Sequence, residues 1–469
     1  CMTPRHIILR QPHMEHLIDL PELTDMPDDE LRALEQLMAF CVDQELEDPQ
    51  APDIRAYCAL NDQSSTDIEA LGSAMRRLDM PEEFLVEVKE IAADVRYRAE
   101  FRGITNERTR DYVREVSVAV DALPADWQVT LRKFHKLGTL DRMQSRLGMF
   151  TWSARRAGLP VDLGCIEALQ AFYQDIRARS VASQTKQNGK AGLKSDIDTP
   201  RWAYLRGTWE ELYRFARLHD CNDDTLEELG ITFQTLRAKE AGQSALKMTK
   251  AMKSGSASSL LAKARQMLIA ANEAPRADLR HARRNRAAAI ALGIGVPARP
   301  RDVFEHHIFG EGIFYENGAY VFRYHPQKTR RTINEPFEVE LLPEGWSQFI
   351  DALILQDQDP RYLGDLRAKA VEQQRPLYVN YDGSHCVYAW YSRQWAAVTG
   401  TGGHIARTLI YDEMSDLGEL GLRYAKSNTH HVTDQISDKY RSDQAIVASR
   451  KIAKTTMVGR GYDDDISRL

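Results

Sequence analysis

Behind Pro27-Asp28-Asp29-Glu30, apolar residues recur at Leu31, Leu34, Leu37, Met38 and Cys41. Steps of three and four residues mark one face of a helix, and acids at its start suit the positive end of the helix dipole. Comparable segments around 64–78 and 81–100, with few Pro or Gly inside them, predict that residues 1–125 are helical. Met143, Leu147, Phe150 and Trp152 predict a further helix that Thr139 can cap and Gly158-Leu159-Pro160 ends. Ile166, Leu169, Phe172 and Ile176 predict a helix over 165–180, and the polar stretch Ser180 to Thr199 is expected to be a loop. Leu205, Trp209, Leu212, Tyr213 and Phe215 predict a helix from Trp202 to His219. Residues 126–240 therefore read as a compact all-α unit of four or five helices.

From 241 to 258 the chain turns polar, small and basic, with Lys247, Lys250, Lys253 and a Ser-Gly-Ser-Ala-Ser-Ser run. That is the composition of an interdomain linker, and a plain helix with a solvated Lys face fits it equally well. Helices are expected at 259–273 and 276–292. The period then drops to two, with Tyr320, Phe322 and Tyr324 alternating, as do Phe337, Val339 and Leu341. Helices return after 344. The expected fold class is mainly α with one small antiparallel β-sheet, arranged as a helical N-terminal region (1–125), a helical domain (126–240), a linker (241–258) and a C-terminal domain (259–469).

Composition narrows the function classes. The chain has 469 residues, 43% hydrophobic and 28% charged, which is ordinary globular usage with room for a large core. At ~150 residues per domain, roughly three domains are expected. No run of eighteen apolar residues occurs, which argues against a transmembrane helix. Cys1 to Arg10 lacks the features of a secretory signal. None of the six cysteines (Cys1, Cys41, Cys58, Cys165, Cys221, Cys386) forms a CxxC pair, so neither a disulfide scaffold nor a zinc ribbon is indicated. A reducing cytoplasm is the expected compartment. The formal net charge of −6 conceals a split: residues 1–100 hold 23 acids and 9 bases, while the remainder holds 45 acids and 53 bases. A basic body behind an acidic head suggests a polyanion partner for the body, although a solvated surface accounts for the charge as well.

Familiar cofactor motifs are missing. There is no GxxxxGK[ST], no HExxH, no GxSxG and no acid cluster spaced for two metals, so neither a cofactor nor a metal is expected. What stands out is a spread of Arg, Lys, His and Tyr. Ala298-Arg299-Pro300-Arg301-Asp302 follows an apolar helix. His325-Pro326-Gln327-Lys328-Thr329-Arg330-Arg331 joins the two strand patterns. Gly402-Gly403-His404-Ile405-Ala406-Arg407 puts His404 and Arg407 three apart, on one face of a starting helix. His431 precedes Tyr440 by nine residues.

In that order these residues resemble the signature of the tyrosine recombinase (phage integrase) family, over about residues 130–469. The resemblance implies that Arg299, Lys328, His404, Arg407, His431 and Tyr440 are catalytic, that 126–240 is a core-binding domain clamping DNA, and that 259–469 is the catalytic domain. Arg301 and His430 stand beside Arg299 and His431 as alternatives for those two roles. Thr408 stands where the family often has His, and His430 where it usually has Gly. Residues 1–125 have no counterpart in the minimal family layout.

The chemistry suits these residue types. Two guanidiniums can grip a phosphodiester bidentately and hold the charge that grows on its oxygens. Tyr440 would form a covalent phosphotyrosine that conserves the bond energy, so neither ATP nor a metal is needed. Lys328 would protonate the leaving oxygen, with His404 and His431 assisting proton transfer. The resemblance implies a DNA recombinase or integrase of a mobile genetic element, nucleoid-associated in a bacterial cytoplasm, acting on double-stranded DNA as a homo-oligomer, a tetramer during synapsis. Lys247, Lys250, Lys253, Arg301, Arg330 and Arg331 are candidate DNA contacts. Two other readings remain open: a DNA-binding relative with weakened catalysis, and a helical scaffold whose acidic N-terminal region recruits a protein partner.

Overall fold

A computed structural model of the chain describes residues 4–100, 116–133, 140–190, 198–243, 250–251, 253–328 and 334–429. The fold is mainly helical with a small antiparallel sheet. Its contacts divide it into two compact units, one built from residues 1–106 together with 246–469 and the other from 107–245.

The first unit has a head and a body. The head holds α1 (Pro4–Leu9), α2 (Asp28–Asp43), α3 (Ala51–Leu60), α4 (Ser65–Arg77) and α5 (Glu82–Glu100). α2 buries Leu31, Leu34, Leu37 and Cys41, the stripe its sequence spacing defines. Ser64 caps α4 in a capping box with Asp67. The apolar faces of the head and those of the body merge into one core running from Ala33 to Ala425. Polar contacts reinforce the join. Buried Asp53 accepts from the Tyr362 hydroxyl at 2.5 Å and pairs with Arg361 at 2.8 Å. Lys369 donates to the carbonyls of Ala59 and Leu60 and to Asp62. Part of the head's acidity thus meets bases of the same chain.

In the second unit, α6 (Ala125–Lys133), α7 (Leu140–Arg156), α8 (Ile166–Lys190), α9 (Trp202–Leu218) and α10 (Asp223–Ala241) surround an aromatic core. Trp127 packs on Phe150 and Phe215, and Phe172 bridges Phe150 and Trp209. A loop is expected from Ser180 to Thr199, but the chain stays helical through its first half, since α8 continues to Lys190. Three of its polar side chains find partners near the end of the described stretch. Ser180 Oγ accepts from the Arg201 N–H, Gln184 donates to the Thr199 carbonyl, and Thr185 donates to Val181. A helix without an apolar stripe leaves no periodic signal.

The body comprises α11 (Ala257–Asn272), α12 (Ala277–Gly295), α13 (Pro300–His306), the strands β1 (Ile313–Glu316), β2 (Ala319–Tyr324) and β3 (Phe337–Leu341), then α14 (Pro343–Leu355), α15 (Leu363–Glu372), α16 (Tyr388–Thr399), α17 (Ile405–Met414) and α18 (Gly418–Asn428). α12 is the central helix, buried from Ala287 to Gly295. The sheet order is β1-β2-β3, all antiparallel. Tyr320 pairs with Leu341, Phe322 with Val339 and Tyr324 with Phe337, so the two alternating patterns face each other across one hairpin. In the expected linker, residues 250, 251, 253 and 254 have helical backbone and Ala251 is buried, while Lys250 and Lys253 are exposed. Among the described residues no helix is long and apolar enough to cross a membrane.

Candidate functional site

The site begins where α12 ends. Val296 and Ala298 are buried, Arg299 is extended, and Pro300 starts α13 with the fixed backbone angle of a first helical residue. Arg299 faces Asp302 at 3.6 Å. The other oxygen of buried Asp302 accepts from the Gln327 N–H at 3.0 Å. One carboxylate therefore holds both Arg299 and the start of the β2–β3 connection. Lys328, the next residue, is exposed in a turn.

α17 reaches the same place by a close approach of backbone to rings. A Cβ on Gly403 would lie 2.5 Å from the Tyr391 ring and 3.0 Å from Trp395, both on α16. The same two side chains press on Gly293 of α12, where a Cβ would lie 2.5 Å from the Tyr391 hydroxyl. The Trp395 indole N–H donates to the Ala289 carbonyl at 3.1 Å. Glycine is required at both positions because any side chain would push the three helices apart. This packing carries Arg407 into the core. Its Nη1 donates to the Pro297 carbonyl at 2.8 Å, two residues before Arg299, and its Nη2 donates to the Thr429 carbonyl.

His404 lies at the N-terminal end of α17 and keeps an exposed edge. Loss of water around its ring, then the positive charges of Arg407 and Arg299, hold its pKa below the ordinary histidine value. Burial keeps the Tyr324 phenol well above its ordinary value. Asp302 pushes the same way, and Arg407 and Arg299 pull it back. Both arginines thus act on one imidazole and one phenol, although the whole sheet separates them in the chain. Such a cluster can hold an oxyanion with charges that persist at neutral pH and a neutral imidazole beside it.

Of the expected site residues, Arg299, His404 and Arg407 come together, and Lys328 follows directly on the segment tied to Asp302. Arg301 points elsewhere: it is exposed and paired with Glu305 at 2.6 Å. Lys247, Arg330, Arg331, His430, His431 and Tyr440 lie outside the described residues. Sequence reasoning missed the wall of the site. Tyr324, read only as a strand position, stacks on His306 with ring centres 5.1 Å apart and lies 5.4 Å from the ring of His307. The His306-His307 pair just after α13 was the available signal. Among the described residues no three His, Cys, Asp or Glu side chains are grouped to hold a metal ion. No protein-family model matches the chain, and no curated protein matches it.

Proposed function

We propose that this protein is a site-specific DNA strand transferase of the tyrosine recombinase type, cutting and rejoining duplex DNA through a covalent 3′-phosphotyrosine. On this reading the body is the catalytic domain, and the helical unit is the core-binding domain. One observation carries it: Arg299 and Arg407, far apart in the chain, act together on His404 and on the Tyr324 hydroxyl. Here Arg299 rather than Arg301 takes the first arginine role, since Arg301 is exposed and engaged by Glu305.

The Tyr440 oxygen attacks phosphorus, and its proton passes to the imidazole of His404 or His431. The bond to the 5′ oxygen breaks, and Lys328 supplies the proton to that leaving group. Arg299 and Arg407 hold the non-bridging oxygens throughout. Reversal with a new 5′ hydroxyl rejoins the strand and frees the tyrosine.

The test is a library of duplexes nicked beside varied phosphates, so that cleavage traps the adduct. Full-length protein is expected to give a denaturant-resistant protein–DNA species that disappears in Tyr440→Phe. Duplex binding with no adduct supports the second reading, a DNA-binding relative without turnover. The engagement of Arg407 by the Pro297 and Thr429 carbonyls favours that alternative, since it lets this arginine serve as a structural latch. Binding should weaken steeply as salt rises, through counterion release. No duplex binding even at low salt sinks both DNA readings.

A further inference from the structure

A cavity of about 360 Å³ lies within the first unit, with α3 and α5 of the head on one side and α14, α15 and the segment around Arg375 to Gly383 on the other. Such a volume suits a small organic ligand. Ile91, Val95, Ile354 and Leu366 provide apolar wall between charged groups. Most of those charges are matched in place. Arg55 pairs with Glu87 at 2.5 Å and Lys369 with Asp62 at 2.5 Å. Asp357 holds both Arg280 and Arg284, and Asp382 accepts from the Ser384 N–H and hydroxyl.

Arg375 is different. Its Nη2 donates to the Leu353 carbonyl at 2.8 Å, and among the described residues no carboxylate stands within ion-pair distance of it. Burial first, and then the neighbouring charge of Arg98, push its guanidinium down to about 10. Arg98 lines the same cavity. It pairs with Asp94 at 2.8 Å and lies 4.7 Å over the Tyr381 ring, yet its buried Nε has no hydrogen-bond partner. Two neighbouring cations, one without a counter-charge and one with an unused N–H, are costly in a half-apolar pocket. An oxyanion relieves both costs, because the guanidinium fork matches a pair of its oxygens.

We propose that this cavity binds a small organic anion, an apolar or ring-bearing body whose carboxylate or phosphate is gripped by Arg375 and the Arg98 Nε. The site is separate from the Arg299–Arg407 cluster and independent of the strand-transfer reading. Because Arg98 belongs to the head and Arg375 to the body, the bound anion fastens one to the other.

Benzoate, phenyl phosphate and uncharged benzamide serve as probes for calorimetric titration of the full chain at low salt. At least one of the two anions is expected to bind one per chain and raise the melting temperature, while benzamide does neither. Whichever anion binds more tightly identifies the head group. Arg375→Gln should weaken binding by about tenfold or more, and Arg98→Lys, which keeps the charge but removes the Nε donor, by several-fold. No binding of either anion, equal binding of benzamide, or unchanged affinity in both variants would overturn the proposal. If Arg375→Gln does not fold, unchanged affinity in Arg98→Lys overturns it alone.

Discussion

Both ring nitrogens of buried His307 lack a hydrogen-bond partner, an arrangement that costs about 1–3 kcal/mol. The ring is wedged 4.8 Å from Phe322 and 5.4 Å from Tyr324. His307→Phe keeps a flat ring and removes the orphaned atoms, so it is expected to raise stability by about 1 kcal/mol in urea unfolding. A matching pH signature follows. Burial, helped by His306, pushes His307 down to about 3, whereas an unfolded histidine titrates near 6.5. Between those values the unfolded chain holds the extra proton. The stability contribution is therefore complete above about pH 6.5 and is lost as pH falls toward 3. His281 and His404, also lowered, act in the same direction. Urea midpoints measured at pH 7.5 and 4.5 should differ less in His307→Phe than in the parent; an equal difference would place the proton elsewhere. At this scale the arginines were legible in sequence because motif spacing marks them. His307 and Tyr324 were not, since a buried imidazole or phenol looks like any other core residue until its neighbours are known.

Among the elements, hydrophobic period was informative wherever one face of a helix or strand meets a core. The α2 stripe and the paired alternation of β2 and β3 are direct cases. It failed for the second half of α8, which is polar, and for β1, whose four residues are too short to show a period. The close approach of α12, α16 and α17 was equally hidden. Gly293 and Gly403 are ordinary letters in the sequence, and only the rings of Tyr391 and Trp395 explain them. Gly403→Ala is expected to destabilise by about 1–3 kcal/mol through overpacking. On the proposed strand-transfer reading it should also lower adduct formation or DNA affinity, because α17 carries His404 and Arg407. A melting temperature within a degree or so of the parent would mean the rings can step aside.

At the scale of the whole molecule, two units with separate cores should unfold separately. Scanning calorimetry is expected to resolve two transitions, and removing a head-to-body contact should move only one of them. Asp53→Ala is the sharpest such change. It strips the buried Tyr362 hydroxyl of its acceptor and Arg361 of a counter-charge, at a cost of about 2–4 kcal/mol. A single transition that shifts as a whole would show that the cores are coupled. The acidic bias of the head was visible from composition, but its attachment was not, because contacts between distant stretches leave no local pattern.

That attachment has a consequence for how the protein is made. The head leaves the ribosome before the surface it packs against, which is encoded only after residue 246. Meanwhile residues 107–245 can complete their own core and settle, while the greasy sides of the head wait in water. Nascent chains in that interval carry exposed apolar surface and a large loop still to be closed. Translation pauses before residue 246, or a shortage of holding chaperones, would therefore lower the yield of this chain without altering a single contact in its finished form.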